Sequence, residues 1–143
     1  MTEVSFHFNV PYPTGYTCRL LRKAVRRGAA VAVTGPRESL AELDRELWAF
    51  DPAEFVAHAW VADLESVPES LRACTVWLAP DPLEAPLHDA LVNLGEAAPK
   101  GFESYRRLIE VVATGEAERS AARERWKGYA RRGYAIERHE VGP

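Results

Sequence analysis

Apolar runs along the chain predict seven β-strands. The first, at 3–10, alternates apolar with polar positions and so has one buried face. The run AAVAVT at 29–34 is apolar throughout, as expected for a strand that is covered on both faces. Further strands are predicted at 54–60, 75–79, 90–94, 107–113 and 134–141, the last of them edge-like.

Helical spacing predicts three helices between these strands. The first, at 16–27, stops at Gly28, and the second, at 37–50, follows the Gly35-Pro36 turn. The third, at 118–134, contains no proline and ends near Gly133. The stretch 61–73 is predicted to be irregular. Strands that alternate with helices indicate a three-layer α/β/α fold around a mostly parallel sheet.

Composition places the chain among soluble globular proteins. Its 143 residues suit one domain, 1–143, and 47% hydrophobic with 27% charged residues is typical of a packed core. We find no apolar run of about 20 residues and no signal-peptide pattern, so we expect a cytoplasmic protein without membrane contact. Cys18 and Cys74 lack metal-binding or disulfide spacing and are predicted to be buried.

The predicted third helix has two distinct faces. Its apolar and aromatic positions Ala122, Trp126 and Tyr129 share one face, whereas cationic residues recur every four positions along another, at Arg119, Arg123, Lys127 and Arg131. Residues 116–134 hold six Lys/Arg and three Asp/Glu, a net +3, while the remainder holds 12 and 18, a net −6. Such a local charge suggests an anionic partner, and the alternative, which composition alone favours, is a solvated face whose arginine stems cover apolar surface.

A second candidate surface is the aromatic corner at 43–58. There LDRELWAFDPAEFVAH brings Trp48, Phe50, Phe55 and Val56 close together around Asp51-Pro52. Clustered Trp and Phe residues are typical of protein–protein hot spots. Packing in the core is the alternative.

Enzyme and nucleotide-binding functions have weaker support. The VTGPRES turn lies where a phosphate-binding loop would lie, but it has one glycine and no lysine, and Pro36 has no N–H to donate. His88-Asp89 could orient an imidazole for base chemistry, with a structural turn histidine as the alternative. The four histidines show no metal-binding spacing. No cofactor or metal is predicted, and an α/β enzyme using the strand ends near Gly35 and His88 remains the alternative function.

Three stretches together carry a resemblance to a known family. LDRELWAFDPAEFVAH at 43–58, HDALVNLG at 88–95 and AARERWKGYARRGYAI at 121–136 make the chain similar, over nearly its whole length, to the chi subunits of bacterial DNA polymerase III. The resemblance implies a Rossmann-like fold without a working phosphate loop and a non-catalytic adaptor of the clamp-loader complex. This fits the defective VTGPRES turn.

The resemblance also implies two partners. One is the acidic C-terminal tail of single-stranded-DNA-binding protein. Arg123 and Lys127 match the basic residues that bind this tail in the family, and Trp126 and Tyr129 are predicted to line or support that site. The other is the psi subunit. The region that packs against psi in the family corresponds here to Trp48, Phe55, Val56 and His58. DNA is expected to be contacted only indirectly, because the net charge of −3 disfavours direct nucleic-acid binding through the 119–132 helix.

Overall fold

The computed structural model describes residues 1–49, 56–61 and 75–141. In chain order these residues form β1 (Glu3–Val10), α1 (Pro13–Arg26), β2 (Val31–Thr34), α2 (Arg37–Ala49), β3 (His58–Trp60), β4 (Val76–Leu78), β5 (Ala90–Asn93), β6 (Arg107–Ala113), α3 (Glu116–Arg131) and β7 (Ile136–Glu140). Two short 3-10 helices, Pro82–Glu84 and Phe102–Ser104, lie on either side of β5.

The seven strands form one parallel sheet in the order β3-β4-β2-β5-β6-β1-β7. The first strand lies between the last two, with Val4 aligned with Leu108 of β6 and with Ile136 of β7. Parallel strands need crossover connections, and α1, α2 and the helix Glu116–Arg131 provide those that follow β1, β2 and β6. The prediction of a three-layer α/β fold with a mostly parallel sheet is confirmed.

Alternation along the strands divides the core between the two faces of the sheet. On one face, Phe6 and Phe8 pack with Ala122 and Tyr129 of α3. On the other, α1 and α2 cover Val31, Val33 and neighbouring side chains, with Leu21, Leu40 and Leu43 fully buried. α3 therefore lies on the opposite side of the sheet from α1 and α2.

Most element boundaries agree with the sequence prediction to within two residues. α1 begins three residues earlier than predicted, because Pro13 occupies the first helical turn, where its missing N–H costs no hydrogen bond. β3 is shorter than the predicted 54–60, since Val56 and Ala57 are outside the ladder and 54–55 lie outside the described residues. Cys18 is buried as expected, whereas Cys74 and nearly all of 61–73 also lie outside the described residues.

Candidate partner-binding site

α3 is held on the sheet by residues spaced three and four apart. Ala122, Arg125 and Tyr129 are buried against it, and Trp126 packs half-buried on Phe6, with ring centroids 5.1 Å apart. The helix ends where Gly133 adopts a positive φ and the Tyr134 amide donates to the Tyr129 carbonyl. These contacts fix which side of α3 faces solvent.

The solvent side of α3 carries the predicted cations. The side chains of Arg123 and Lys127 are 59% and 65% exposed. Glu116 accepts from Arg119 at 2.8 Å and from Arg123 at 3.4 Å, and Glu124 lies 3.5 Å from the Lys127 ammonium. The Arg119 and Arg123 guanidinium groups lower the pKa of the Glu116 carboxyl through these hydrogen bonds. The guanidinium groups thus already bind a carboxylate, although one supplied by their own helix.

The two aromatic residues predicted at this site are placed differently from each other. Trp126 keeps part of its ring exposed beside the cations. Tyr129 is buried with 1% exposure, and its hydroxyl donates to Glu110 Oε2 at 2.6 Å. Tyr129 cannot line a surface site, so of the two roles predicted for it only support from beneath is compatible with its burial.

A buried polar network lies directly under the helix. Glu110, in the middle of β6, is fully buried and accepts hydrogen bonds from Asn93 Nδ2 at 2.9 Å and from Tyr129. Arg125 places its Nε 3.1 Å from Glu110 Oε1 and donates from Nη1 to the Glu96 carbonyl at 2.6 Å. Burial raises the pKa of Glu110, and the Arg125 guanidinium opposes that rise. The network links α3 to β6 and to the loop after β5.

Sequence reasoning missed Arg125 and Glu110. Two signals were available: Arg125 lies three and four residues from Ala122 and Tyr129, on the buried side of the helix, and Glu110 interrupts the apolar strand RLIEVVA. A charged residue on each of two buried surfaces predicts that they pair.

The aromatic corner joins the end of α2 to β3. Trp48 is 55% exposed, and its ring lies 5.0 Å from that of His58. Val56 and His58 are buried, with the His58 ring nitrogens 2.8 Å from the Val56 carbonyl and 2.7 Å from Asp44 Oδ1. Phe55 lies outside the described residues. Of the four residues predicted to contact psi, Trp48 is exposed. Val56 and His58 are instead packed in the core, which was the alternative for this corner.

The chain is similar to known proteins over most of its length. The family model for "DNA polymerase III chi subunit, HolC" matches residues 1–137. This chain belongs to the DNA polymerase III chi subunit family. It is 30% identical over 126 residues to the DNA polymerase III subunit chi of Haemophilus influenzae, covering 87% of this chain and 85% of that one. It is 31% identical over 125 residues to the Pseudomonas aeruginosa subunit of the same name, covering 87% and 83%.

In this chi-family chain the two alternative catalytic positions do not form one site. β2 and β5 run parallel with Val31 aligned with Ala90, so Gly35 lies beyond their carboxyl ends and His88 before the amino end of β5. The imidazole of His88 contacts Ser104 Oγ at 2.8 Å and the Ala85 carbonyl at 2.9 Å, and it stacks on Tyr105. These three contacts hold the ring, and none of the three is with Asp89, as in a structural turn histidine.

The loop at Gly35 packs closely on the segment after β5. A Cβ on Gly35 would approach Leu94 Cβ to 3.1 Å and the Gly95 nitrogen to 3.3 Å, because the loop packs directly on the segment after β5. A phosphate cradle needs free backbone N–H groups and open space at this place. The loop of this chi-family chain lacks the lysine of such a cradle, and Pro36 has no N–H to donate.

The described residues contain neither a metal-binding cluster nor a membrane-spanning helix. Within 1–49, 56–61 and 75–141, no three His, Cys, Asp or Glu side chains are grouped so that they could hold a metal ion. None of the helices in those ranges has the length and apolar character needed to cross a membrane.

Proposed function

We propose that this chi-family chain is a non-catalytic accessory subunit of DNA polymerase III that acts as an adaptor in replication. It binds the acidic C-terminal tail of single-stranded-DNA-binding protein on the outer face of α3, and the psi subunit at the corner around Trp48. The observation that carries the proposal is the exposed pair Arg123 and Lys127, one turn apart on a helix anchored from beneath by the Glu110 network.

The contacts of Glu116 support a carboxylate-binding role for this face. Its two oxygens are held by Arg119 and Arg123 in the way in which a partner's terminal carboxylate would be held. Because the Arg123 and Glu116 side chains are 59% and 69% exposed, a tail could displace Glu116 without leaving either of these charges buried and unpaired. The half-buried ring of Trp126 offers apolar surface next to the cations for an apolar residue of the tail.

The anchoring residues have a separate part in this proposal. Tyr129 and Arg125 do not contact the tail; they hold α3 against β6, so that the spacing between Arg123 and Lys127 is fixed before binding. At the corner, Trp48 supplies the exposed aromatic contact for psi, while His58 supports its ring. Val56 contributes to the packing beneath them.

Fluorescence anisotropy with a labelled peptide matching the tail tests the main proposal. We expect micromolar affinity that weakens with salt and falls strongly when the terminal carboxylate is amidated, because the contact is an exposed charge-assisted one. Arg123→Ala/Lys127→Ala should weaken binding by about tenfold, which corresponds to about 1.4 kcal/mol.

The matched control is Arg45→Ala/Lys100→Ala, which also removes two exposed positive charges but leaves α3 unchanged. It should bind the peptide as the wild type does. If both double variants lose the same affinity, the peptide recognises net charge rather than this site. If the wild type does not bind at low salt, the proposed function is wrong.

For the second surface, Trp48→Ala should reduce co-purification with psi while leaving the peptide affinity unchanged.

A further inference from the structure

α1 carries a second cationic surface, on the other side of the sheet. Between residues 13 and 28 there are five Lys/Arg and no Asp/Glu, namely Arg19, Arg22, Lys23, Arg26 and Arg27. The rest of the chain then has 13 Lys/Arg and 21 Asp/Glu, a net −8. This helix is therefore more basic than α3, in a protein that is acidic elsewhere.

Four of the five cations of α1 face outward. Thr17, Cys18 and Leu21 turn the apolar side of the helix into the core. Arg19, Lys23 and Arg27 are exposed and follow each other at four-residue intervals, about 6 Å apart along the helix axis. Arg26 is exposed beside them, so the outer side of α1 is a line of positive charge.

The two basic helices differ in how their charges are compensated. On α3, Arg119, Arg123 and Lys127 each have a glutamate of the same helix within 4 Å. On α1, no carboxylate in the described ranges forms such an ion pair with Arg19, Lys23 or Arg27.

Repulsion within α1 has a cost. Like charges four residues apart, as in Arg19–Lys23 and Lys23–Arg27, destabilise a helix by about 0.2–0.5 kcal/mol per pair. A bound polyanion would relieve this repulsion along the whole line at once. α1 thus has the charge arrangement of an anion-binding face.

We propose that the outer face of α1 binds the phosphate backbone of single-stranded nucleic acid. A regular line of cations is complementary to a nucleic-acid strand, which carries one negative charge per nucleotide. The spacing of about 6 Å between Arg19, Lys23 and Arg27 is comparable with that of successive phosphates in an extended strand. Only a few phosphates can be contacted, because the rest of the molecule is acidic in total. Binding is therefore weak and depends strongly on salt.

The neighbouring helix favours a single strand over a duplex. α2 packs beside α1 and carries Glu38, Glu42, Asp44 and Glu46 against Arg37 and Arg45. A duplex is much wider than one helix and would bring its second backbone over these carboxylates, whereas a single strand can follow α1 alone. The site is also on the opposite sheet face from Arg123 and Lys127, so one partner tail cannot occupy both helices.

The test measures binding of a labelled oligothymidylate of about 30 nucleotides across a salt series, with the full chain. If three phosphates are neutralised, log Kd should change with log salt with a slope of about 2, so Kd should rise about 16-fold between about 50 and 200 mM salt. Arg19→Gln/Lys23→Gln should lower that slope by about 1.4, because two contacts are lost. Glutamine keeps the helix propensity of arginine and lysine, so the fold is preserved.

The matched control is Arg123→Gln/Lys127→Gln, with the same loss of two charges on α3. We expect this variant to bind the oligonucleotide normally, and the α1 variant to bind the acidic peptide as the wild type does. The inference is overturned if the wild type does not bind the oligonucleotide at low salt, if the α1 variant keeps the wild-type slope, or if both variants lose affinity equally. Tighter binding of a duplex of the same length would overturn the assignment to single strands.

Discussion

Replacing Arg125 with methionine tests how strongly the buried network holds α3 on the sheet. Methionine keeps the helix propensity and much of the side-chain volume but removes the Nε contact with Glu110 and the donor to the Glu96 carbonyl. Glu110 would then be a fully buried carboxylate without its cationic partner. Removing one partner of a buried ion pair costs about 3–5 kcal/mol. This is a large part of the free energy of unfolding of a typical protein, which is about 5–15 kcal/mol.

Urea denaturation followed by circular dichroism measures this cost, and Arg123→Met provides the control. Arg123 lies two residues earlier on the same helix but is 59% exposed, so its replacement should change the free energy of unfolding by less than about 0.5 kcal/mol. The double variant Glu110→Leu/Arg125→Met removes both charges and should recover part of the loss. If Arg125→Met is as stable as Arg123→Met, the network does not stabilise the fold.

The same variant has a pH dependence with a defined sign. Burial raises the pKa of Glu110, and in Arg125→Met the opposing guanidinium is gone, so the pKa should rise further. The folded variant then binds a proton that the unfolded chain releases above about pH 4.3. The contribution of this protonation to stability is complete below about pH 4.3 and is lost as pH rises through the raised pKa. The gap from the wild type should therefore be smaller at about pH 5 than at about pH 8.

Two further predictions concern stability. Burial, followed by the charge of His139, lowers the pKa of His7 from 6.5 to about 4. The unfolded chain then binds more protons between these values, so this contribution is complete above about pH 6.5 and is lost as pH falls toward 4. His7→Gln should reduce the dependence of the melting temperature on pH in this range. An unchanged pH dependence would contradict the assignment of this effect to His7. Gly128→Ala, with open space around the new methyl group, should add about 0.5–1 kcal/mol. Gly101→Ala should instead destabilise by about 1–3 kcal/mol in the same denaturation assay, since Gly101 has a φ of +79° and faces Leu83; equal effects would contradict this reasoning.

The sheet was largely predictable because its strands are short, apolar and separated by clear turn signals. β6 was predicted with its observed bounds, Arg107–Ala113, and β2 to within two residues. The start of α1 was missed because Pro13 is compatible with both a turn and a first helical turn. The outward direction of the α3 cations followed from periodicity alone.

The roles of individual side chains on α3 needed the tertiary structure. Periodicity grouped Trp126 with Tyr129, but the sheet covers Tyr129 completely and Trp126 only in part. The partner of Arg125 is a residue of a strand 15 positions earlier, which helical spacing cannot identify. The spacing of Arg19, Lys23 and Arg27 was visible in the sequence, yet their lack of an ion pair with any carboxylate in the described ranges depends on how the helices pack.

The position of β1 between β6 and β7 affects how the chain folds as it leaves the ribosome. β1 is made first, but its two neighbours begin at Arg107 and Ile136, so neither of its hydrogen-bonded edges can be paired until most of the chain has been synthesised. Such distant pairings impose a large loop-closure cost and slow folding. During synthesis, the apolar side of β1 with Phe6 and Phe8 is therefore exposed to chaperones for longer than that of any strand paired with a nearby neighbour.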